Sequence, residues 1–360
     1  MTYFNFFTAL LLAIVFALGR VEPTEGNYLW LVPYLIPLAL MLTIILLLVM
    51  AVRRKKSGVY YLASLGLALP YIISTVGMKH LVHTKISSSK QFSVLNYNVS
   101  LTGFPYVQSW AFYTPPTLAF QMKYWILNQD ADIQCYQEFM TFNGEQNFDM
   151  LKLLTDKGYH CYLSTDRKKP NEPTVGVLIA SRFPIVKSGD VAASENGFNR
   201  IAYADVLVQH DTVRIISLHL ESMGLRQYNP AKAWSIGSAV AKVGLILNQL
   251  EAGMNERNRQ IKRLTSFIRA SPHRVVCTGD FNDLPYAFPY QALKKQLHNT
   301  FEEAGRGFGF TYNGSTLRTL RIDNQFYSPG LTPTTFNTLN TVTLSDHFPL
   351  LGTYTLTERR

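Results

Sequence analysis

The sequence predicts an α/β domain with layered sheets behind an apolar N-terminal segment. Two observations carry this. Over about 270 residues, strand-like apolar runs alternate with helical patterns and no internal repeat is visible. The first ninety or so residues instead hold three long apolar runs. The 360 residues are enough for two ordinary domains. The expected division is a membrane segment over 1–82 with about three transmembrane helices, a linker over 83–91, and a folded domain over 92–360.

The membrane segment comes first. Residues 28–52 contain no charge and are long enough to cross a bilayer of about 30 Å. Pro33 and Pro37 fall near its start, where they disturb little. Residues 59–78 form a second candidate span, with Gly66, Pro70 and Gly77 inside it, which transmembrane helices tolerate. Residues 3–19 form a shorter third. That run lacks a basic leader and a clear small-x-small cleavage site, so it is read as an uncleaved helix rather than a signal peptide.

Charge sets the orientation. The loop Arg53-Arg54-Lys55-Lys56 resists translocation and should be cytoplasmic. With three helices the following domain then lies on the exocytoplasmic side of the cell membrane, against the pull of Lys79, Lys85 and Lys90. Up to Lys90 there are eight Lys/Arg and two Glu, which is +6 of the total +10. The basic balance is therefore largely a topology signal and only weak evidence for nucleic-acid binding. Cys135, Cys161 and Cys277 are odd in number and lack CxxC spacing, which argues against a disulfide framework and a zinc site.

Beyond the polar stretch 83–91, residues 92–99 read as a strand. Residues 116–128 fit an amphipathic helix, with Leu118, Met122, Trp125 and Ile126 at helical spacing. Residues 132–139 read as a strand and 149–157 as a helix. Three consecutive strands follow at 174–181, 200–209 and 212–220. A long helix covers about 231–270, with Gly253 as a possible break. Residues 273–278 are a buried-type strand, 289–296 a helix, and 349–356 the last strand.

Short polar motifs sit where apolar runs end. In Gly279-Asp280-Phe281-Asn282-Asp283, an extended backbone projects Asp280 and Asn282 to one side while Phe281 packs on the other. A carboxylate beside an amide can hold an attacking water and a phosphate oxygen, although an Asx-rich turn has the same look. In Ser345-Asp346-His347, Asp346 can ligate a hard cation or orient a base, and His347 can act as base, acid or phosphate donor. Glu138 closes a strand, where a bound cation is the natural partner for a carboxylate and solvent the alternative. His219, inside Ser217-Leu218-His219-Leu220, would alone be a core histidine. Asp323, in Arg321-Ile322-Asp323, could equally be a salt-bridged surface residue. Arg200 is a weaker candidate for a phosphate or substrate clamp.

Taken in order, Tyr97-Asn98-Val99, Gln137-Glu138, Ser217 to Leu220, Gly279 to Asp283, Arg321 to Asp323 and Ser345 to His347 resemble the endonuclease/exonuclease/phosphatase superfamily. The resemblance covers about 92–354. It implies a four-layer α/β sandwich, two mixed sheets face to face with helices outside and the site at one sheet edge. It also implies roles. Glu138 is the principal divalent-metal ligand with Asn98 beside it. Asp280 positions or deprotonates the attacking water, and Asn282 helps hold the phosphate. His219 donates to a phosphate oxygen. His347 is the second phosphate-side histidine or a general base, oriented by Asp323, and Asp346 supports the metal or the water. Oxygen-rich ligands without thiolate favour Mg²⁺ or Mn²⁺ over Zn²⁺. The sequence departs from the pattern at Asn324 and Gln325, where many members carry an aromatic or His and then an apolar residue.

The expected function is a membrane-anchored phosphoesterase acting on a phosphodiester, in nucleic acid or in a phospholipid or sphingolipid headgroup. The alternatives are a phosphomonoesterase on an inositol-phosphate-like substrate and a binding protein on the same fold. The aromatic stretch 102–116, with Tyr106, Trp110, Phe112 and Tyr113, could line a cleft, touch the bilayer or pack within the domain.

Overall fold

Two six-stranded mixed sheets face each other, with helices on both outer sides, as the resemblance implies. The computed structural model describes residues 2–24, 26–78, 91–104, 117–166, 173–194, 197–222, 236–314 and 319–357. The expected linker, apart from Gln91, and the aromatic stretch from residue 105 onward lie outside them.

The N-terminal segment forms α1 (Thr2–Leu18), a 3₁₀ turn (Tyr28–Leu31), α2 (Val32–Val52) and α3 (Gly58–Thr75). Two stretches, Tyr28–Val52 and Gly58–Thr75, are long and apolar enough to cross a membrane, and α1 is a shorter apolar helix. The second expected span ends early. Gly77–Met78 leaves the helix as β1, which pairs antiparallel with Arg306–Gly307 of the folded domain. A Cβ at Gly77 would sit 2.6 Å from the Gly305 carbonyl carbon, so the close approach requires glycine.

The domain continues with β2 (Gln91–Asn98), α4 (Leu118–Leu127), β3 (Ile133–Thr141), α5 (Met150–Asp156), β4 (His160–Ser164), β5 (Thr174–Ser181), β6 (Ile185–Ala193), β7 (Arg200–Val208) and β8 (Asp211–His219). Then come α6 (Ile236–Arg269), β9 (Arg274–Asp280), α7 (Phe288–Lys294), β10 (His298–Asn299), α8 (Thr300–Ala304), β11 (Arg306–Gly307), β12 (Asp323–Tyr327), β13 (Leu331–Thr338) and β14 (Leu350–Leu356). One sheet has the order β13-β14-β2-β3-β5-β4, the other β10-β12-β9-β8-β7-β6. Helix α6 runs through Gly253 without a break. The sequence reading missed β4 and β6. Residues 185–193 carry Lys187, Ser188, Gly189 and Asp190, so this edge strand lacks an apolar run.

Alternation along the strands builds the layers. Phe92, Val94, Ile133, Cys135, Val177 and Ile179 point inward to meet Ala202, Ala204, Val213, Ile215 and Val276 of the other sheet. On the outer faces, Met122, Ile126, Met150 and Leu154 cover one sheet, and Ile261, Leu264, Tyr290 and Leu293 the other. Strands buried on both faces read as continuous apolar runs, which is why the central ones were legible.

In each sheet one central pair is parallel, β2 with β3 and β8 with β9. Their C-terminal ends fall at one edge. Gly279 lets β9 reach that edge: its φ is +149°, and a Cβ would lie 1.9 Å from the Leu218 carbonyl oxygen on β8. Gly279→Ala should therefore destabilise the fold by about 1–3 kcal/mol or more, read as a drop in thermal unfolding midpoint. An unchanged midpoint would show that the two strands can separate freely there.

Candidate active site

Asn98 ends β2, His219 ends β8 and Asp280 ends β9. The parallel ladder pairs His219 with Asp280, and the antiparallel one pairs Asp323 with Asp280. Three motifs far apart in sequence are thus adjacent by backbone register alone. Glu138 arrives differently. The β3–β5 register shifts between Tyr136 and Phe139, and Glu138 has φ +50°. Such a bulge re-aims a side chain at the cost of local strain. Asn282 shares the left-handed backbone, φ +50°, which asparagine tolerates.

The side chains converge. Asn98 Nδ2 donates to Asp280 Oδ2 at 3.1 Å and to Glu138 Oε1 at 3.3 Å. His219 Nε2 stands 3.6 Å from Asp280 Oδ2 and 3.9 Å from Glu138 Oε1. His347 Nε2 is 3.7 Å from Asp280 Oδ2. These imidazole separations exceed hydrogen-bond length, so the two rings pack beside the carboxylates without bonding to them. His219 Nδ1 is buried without a hydrogen-bond partner among the described residues. The backbone N–H of Asn282 donates to Asp280 Oδ1 at 2.8 Å, which fixes the carboxylate plane. The Asn282 amide donates to the Leu220 carbonyl at 2.9 Å, leaving its second N–H hydrogen for another acceptor. Phe281 packs on Phe326, on the opposite side, as its place in the motif predicts.

His347 and Asp323 form a buried pair, Nδ1 to Oδ2 at 2.8 Å. Thr311 Oγ1 accepts the backbone N–H of both Ile322 and Asp323 at 3.0 Å and anchors the strand start. The Tyr312 ring packs edge-on against His347. Burial pushes the His347 imidazole down, but Asp323, Asp280 and Asp346 together raise it well above the ordinary value. These carboxylates favour its protonated, donor form, which fits the phosphate-side role better than that of a base. Burial pushes Asp323 up, partly offset by His347. Ser345 Oγ donates to the Asn98 carbonyl at 2.8 Å and ties this loop to β2. The half-buried Asp346 lies beside His347, its Oδ1 3.3 Å from Ser345 Oγ.

A divalent cation fits the donor set. Glu138, Asp280 and Asp323 crowd three carboxylates into one site, and Asp280 and Asp323 are buried. A cation offsets that charge. Asp280, Asp323 and His347 present ligand atoms within 4.8 Å of one another, a possible acidic and histidine metal site. The Nδ1 of His347 is already engaged by Asp323, however, which makes the Glu138 and Asp280 oxygens the better placed to meet an ion. Asn98 turns its donor side to the carboxylates while its Oδ1 accepts from Ser100 N at 3.1 Å. To ligate through oxygen it would have to turn over and release Ser100.

Arg200 lies outside this arrangement. Its guanidinium is buried between Asp166 and Asp190, at 2.6 Å to each, and donates to Ser164 Oγ. Those bonds occupy the charge expected to clamp a substrate. The departure at Asn324 and Gln325 leaves β12 intact. Gln325 donates to the Val94 carbonyl and accepts from Tyr354, bridging the two sheets with polar bonds in place of an apolar contact. Sequence reasoning gave Asp283 no role, yet it is buried and bonded to Tyr34 and Arg257. A second acid directly after Asn282 was the available signal.

The model of the Endonuclease/Exonuclease/phosphatase family matches residues 121–347. No curated protein matches the chain. Among solved structures, a family protein from Bacteroides thetaiotaomicron superposes with a TM-score of 0.52 at 16% identity, covering 76% of this chain and 100% of that one. D. rerio TDP2 complexed with single-strand DNA product gives 0.51 at 14% identity, covering 73% and 98%. At such identities the likeness speaks for the fold.

Proposed function

The chain belongs to the endonuclease/exonuclease/phosphatase family, and we propose that it is a membrane-anchored, divalent-metal-dependent phosphoesterase that hydrolyses a phosphodiester by attack of water. The observation that carries this reading is the meeting of Asn98, Glu138, His219, Asp280 and the Asp323–His347 pair at one sheet edge. Glu138 would hold Mg²⁺ or Mn²⁺, with Asn98 beside it and Asp346 in support. The ion, when bound, polarises a phosphoryl oxygen and offsets charge on the leaving oxygen. Asp280 orients the attacking water and accepts its proton. His219, Asn282 and the cationic His347 donate to phosphate oxygens, and Asp323 keeps His347 charged and aimed.

The apolar helices anchor the enzyme in the cell membrane as a multi-pass protein, with the folded domain on the exocytoplasmic side. Tethering raises the effective concentration of a substrate in the same membrane, which favours a lipid headgroup over nucleic acid. D. rerio TDP2, crystallised with single-strand DNA product, keeps nucleic acid in view.

The test uses the full chain in detergent or nanodiscs with Mg²⁺ or Mn²⁺, against DNA, sphingomyelin-like lipids and inositol phosphates. Lipid cleavage is expected. Chelation should lower it at least about 100-fold, with recovery on adding back either ion. Cleavage of DNA alone dismisses the lipid substrate, and turnover of inositol phosphates alone makes the protein a monoesterase. A chain inert on all three is a binding protein on this fold.

A further inference from the structure

We propose that the N-terminal helices are part of the active-site scaffold, bracing the segments that carry Asp280 and Asp323, with Tyr34, Arg257, Asp283, Tyr286 and Arg321 as positioning residues. The role assigned to those segments rests on the phosphoesterase reading above.

The contacts cluster at the catalytic segments. Asp283 follows Asp280 by three residues, at most about 10 Å of chain. Its Oδ1 accepts from Tyr34 Oη of α2 at 3.1 Å and from the Leu284 N–H at 2.9 Å. Its Oδ2 accepts from Arg257 Nε at 3.1 Å. Arg257 is 1% exposed and also donates to the Glu221 carbonyl at 2.9 Å, two residues after His219. One buried ion pair thus joins α2, α6, the Asp280 loop and the end of the His219 strand.

The Asp323 segment has its own brace. Arg321, two residues before Asp323, is buried, donates to the Ser74 carbonyl at the end of α3, and lies 4.3 Å over the Phe301 ring. Beside it, Thr75 Oγ1 and Tyr286 Oη hydrogen-bond at 2.7 Å. Leu284, Tyr286 and Leu320 join the apolar core of α1 to α3. Two further polar contacts between bundle and domain, Glu22 to Lys262 and Gly26 to Glu251, are exposed and sit on α6 away from the catalytic segments.

A buried carboxylate with both oxygens engaged has one stable position. Loosening it moves Asp280 and Asn282, and a displacement of about 1 Å at such a site can lower turnover roughly 100-fold. The bundle is therefore more than a tether, because its packing sets the geometry of the Asp280 loop.

The experiment compares the full-length chain in detergent with Tyr34→Phe, Tyr286→Phe and Lys262→Ala, using bis-p-nitrophenyl phosphate and Mn²⁺. The two Tyr variants should lose about 10- to 100-fold in kcat, with KM within about twofold, and hydrogen exchange over 279–286 should quicken. Lys262→Ala should match the wild type. Wild-type kcat and exchange in both Tyr variants overturns the brace. If Tyr34→Phe does not fold, Tyr286→Phe decides alone. A wild type that hydrolyses nothing counts against the phosphoesterase reading, while faster exchange in the Tyr variants still supports the brace.

Discussion

Glu138→Gln should lower metal-dependent phosphodiester hydrolysis by roughly 10³- to 10⁴-fold, the rate equivalent of the several kcal/mol a Lewis acid supplies at a phosphoryl oxygen. The substitution keeps size and shape and removes one formal charge. Glu138 is the least buried of the three site carboxylates and is re-aimed by a bulge, so its charge is the best placed to meet an ion. The fold should survive, because its side chain lies outside the sheet ladder. Two measurements check this: kcat/KM across a Mn²⁺ titration, and Mn²⁺ affinity by calorimetry. Weakened affinity with lost turnover supports the assignment. Unchanged affinity and turnover would move the ion to the Asp280, Asp323 and His347 cluster.

The expected effect has a structural reason beyond ligand count. Asn98 donates to both Glu138 and Asp280, so its amide bridges the two carboxylates. In the Glu138→Gln variant one of those acceptors becomes an amide. The pull on an ion falls while the packing around Asn98 stays.

Much of the site was legible because chemistry and register coincide. His219 and Asp280 close neighbouring parallel strands; the run 273–278 led into the Asp280 motif, whereas His219 read as lying within an apolar strand. Asp323 was visible as a motif residue, but its alternative reading as a surface ion pair fell only to the structure, where it is fully buried against His347. Arg200 shows the limit. Its place at a strand start was readable, yet its partners Asp166 and Asp190 come from a turn after β4 and from β6. Neither strand was predicted, because an exposed edge strand needs no apolar run. The Asp283 network is harder still. Tyr34 lies 249 residues away in a helix that reads as purely hydrophobic, and no local pattern links the two. The end of α3 was misread for a related reason. Val76 to Met78 continues the apolar composition, but Gly77 leaves the helix to pair with Arg306 and Gly307.

The Asp323–His347 pair supports the second large prediction. Asp323→Asn should reduce kcat by about 10²- to 10⁴-fold, the range for a positioned acid or base, with a smaller effect on KM. The carboxylate accepts from Nδ1 at 2.8 Å and is the first of the groups that raise His347 to about 10. Asparagine can offer Nδ1 either its oxygen or its amide, so orientation is weakened along with charge. The backbone bonds from Ile322 and Asp323 to Thr311 do not involve the side chain and should keep the strand in place. The sign of the pH effect follows. In the wild type His347 stays protonated until pH rises well above neutral. Without Asp323, burial again pushes the imidazole down, opposed only by Asp280 and Asp346. The proton is then lost at lower pH, so the alkaline limb of the kcat profile should move to lower pH, with part of the activity recovered on acidification. Adding His347→Ala to Asp323→Asn should cost little more than either change alone, because the two residues act as a unit. Additive losses with an unmoved alkaline limb would sink the pairing as the source of the effect.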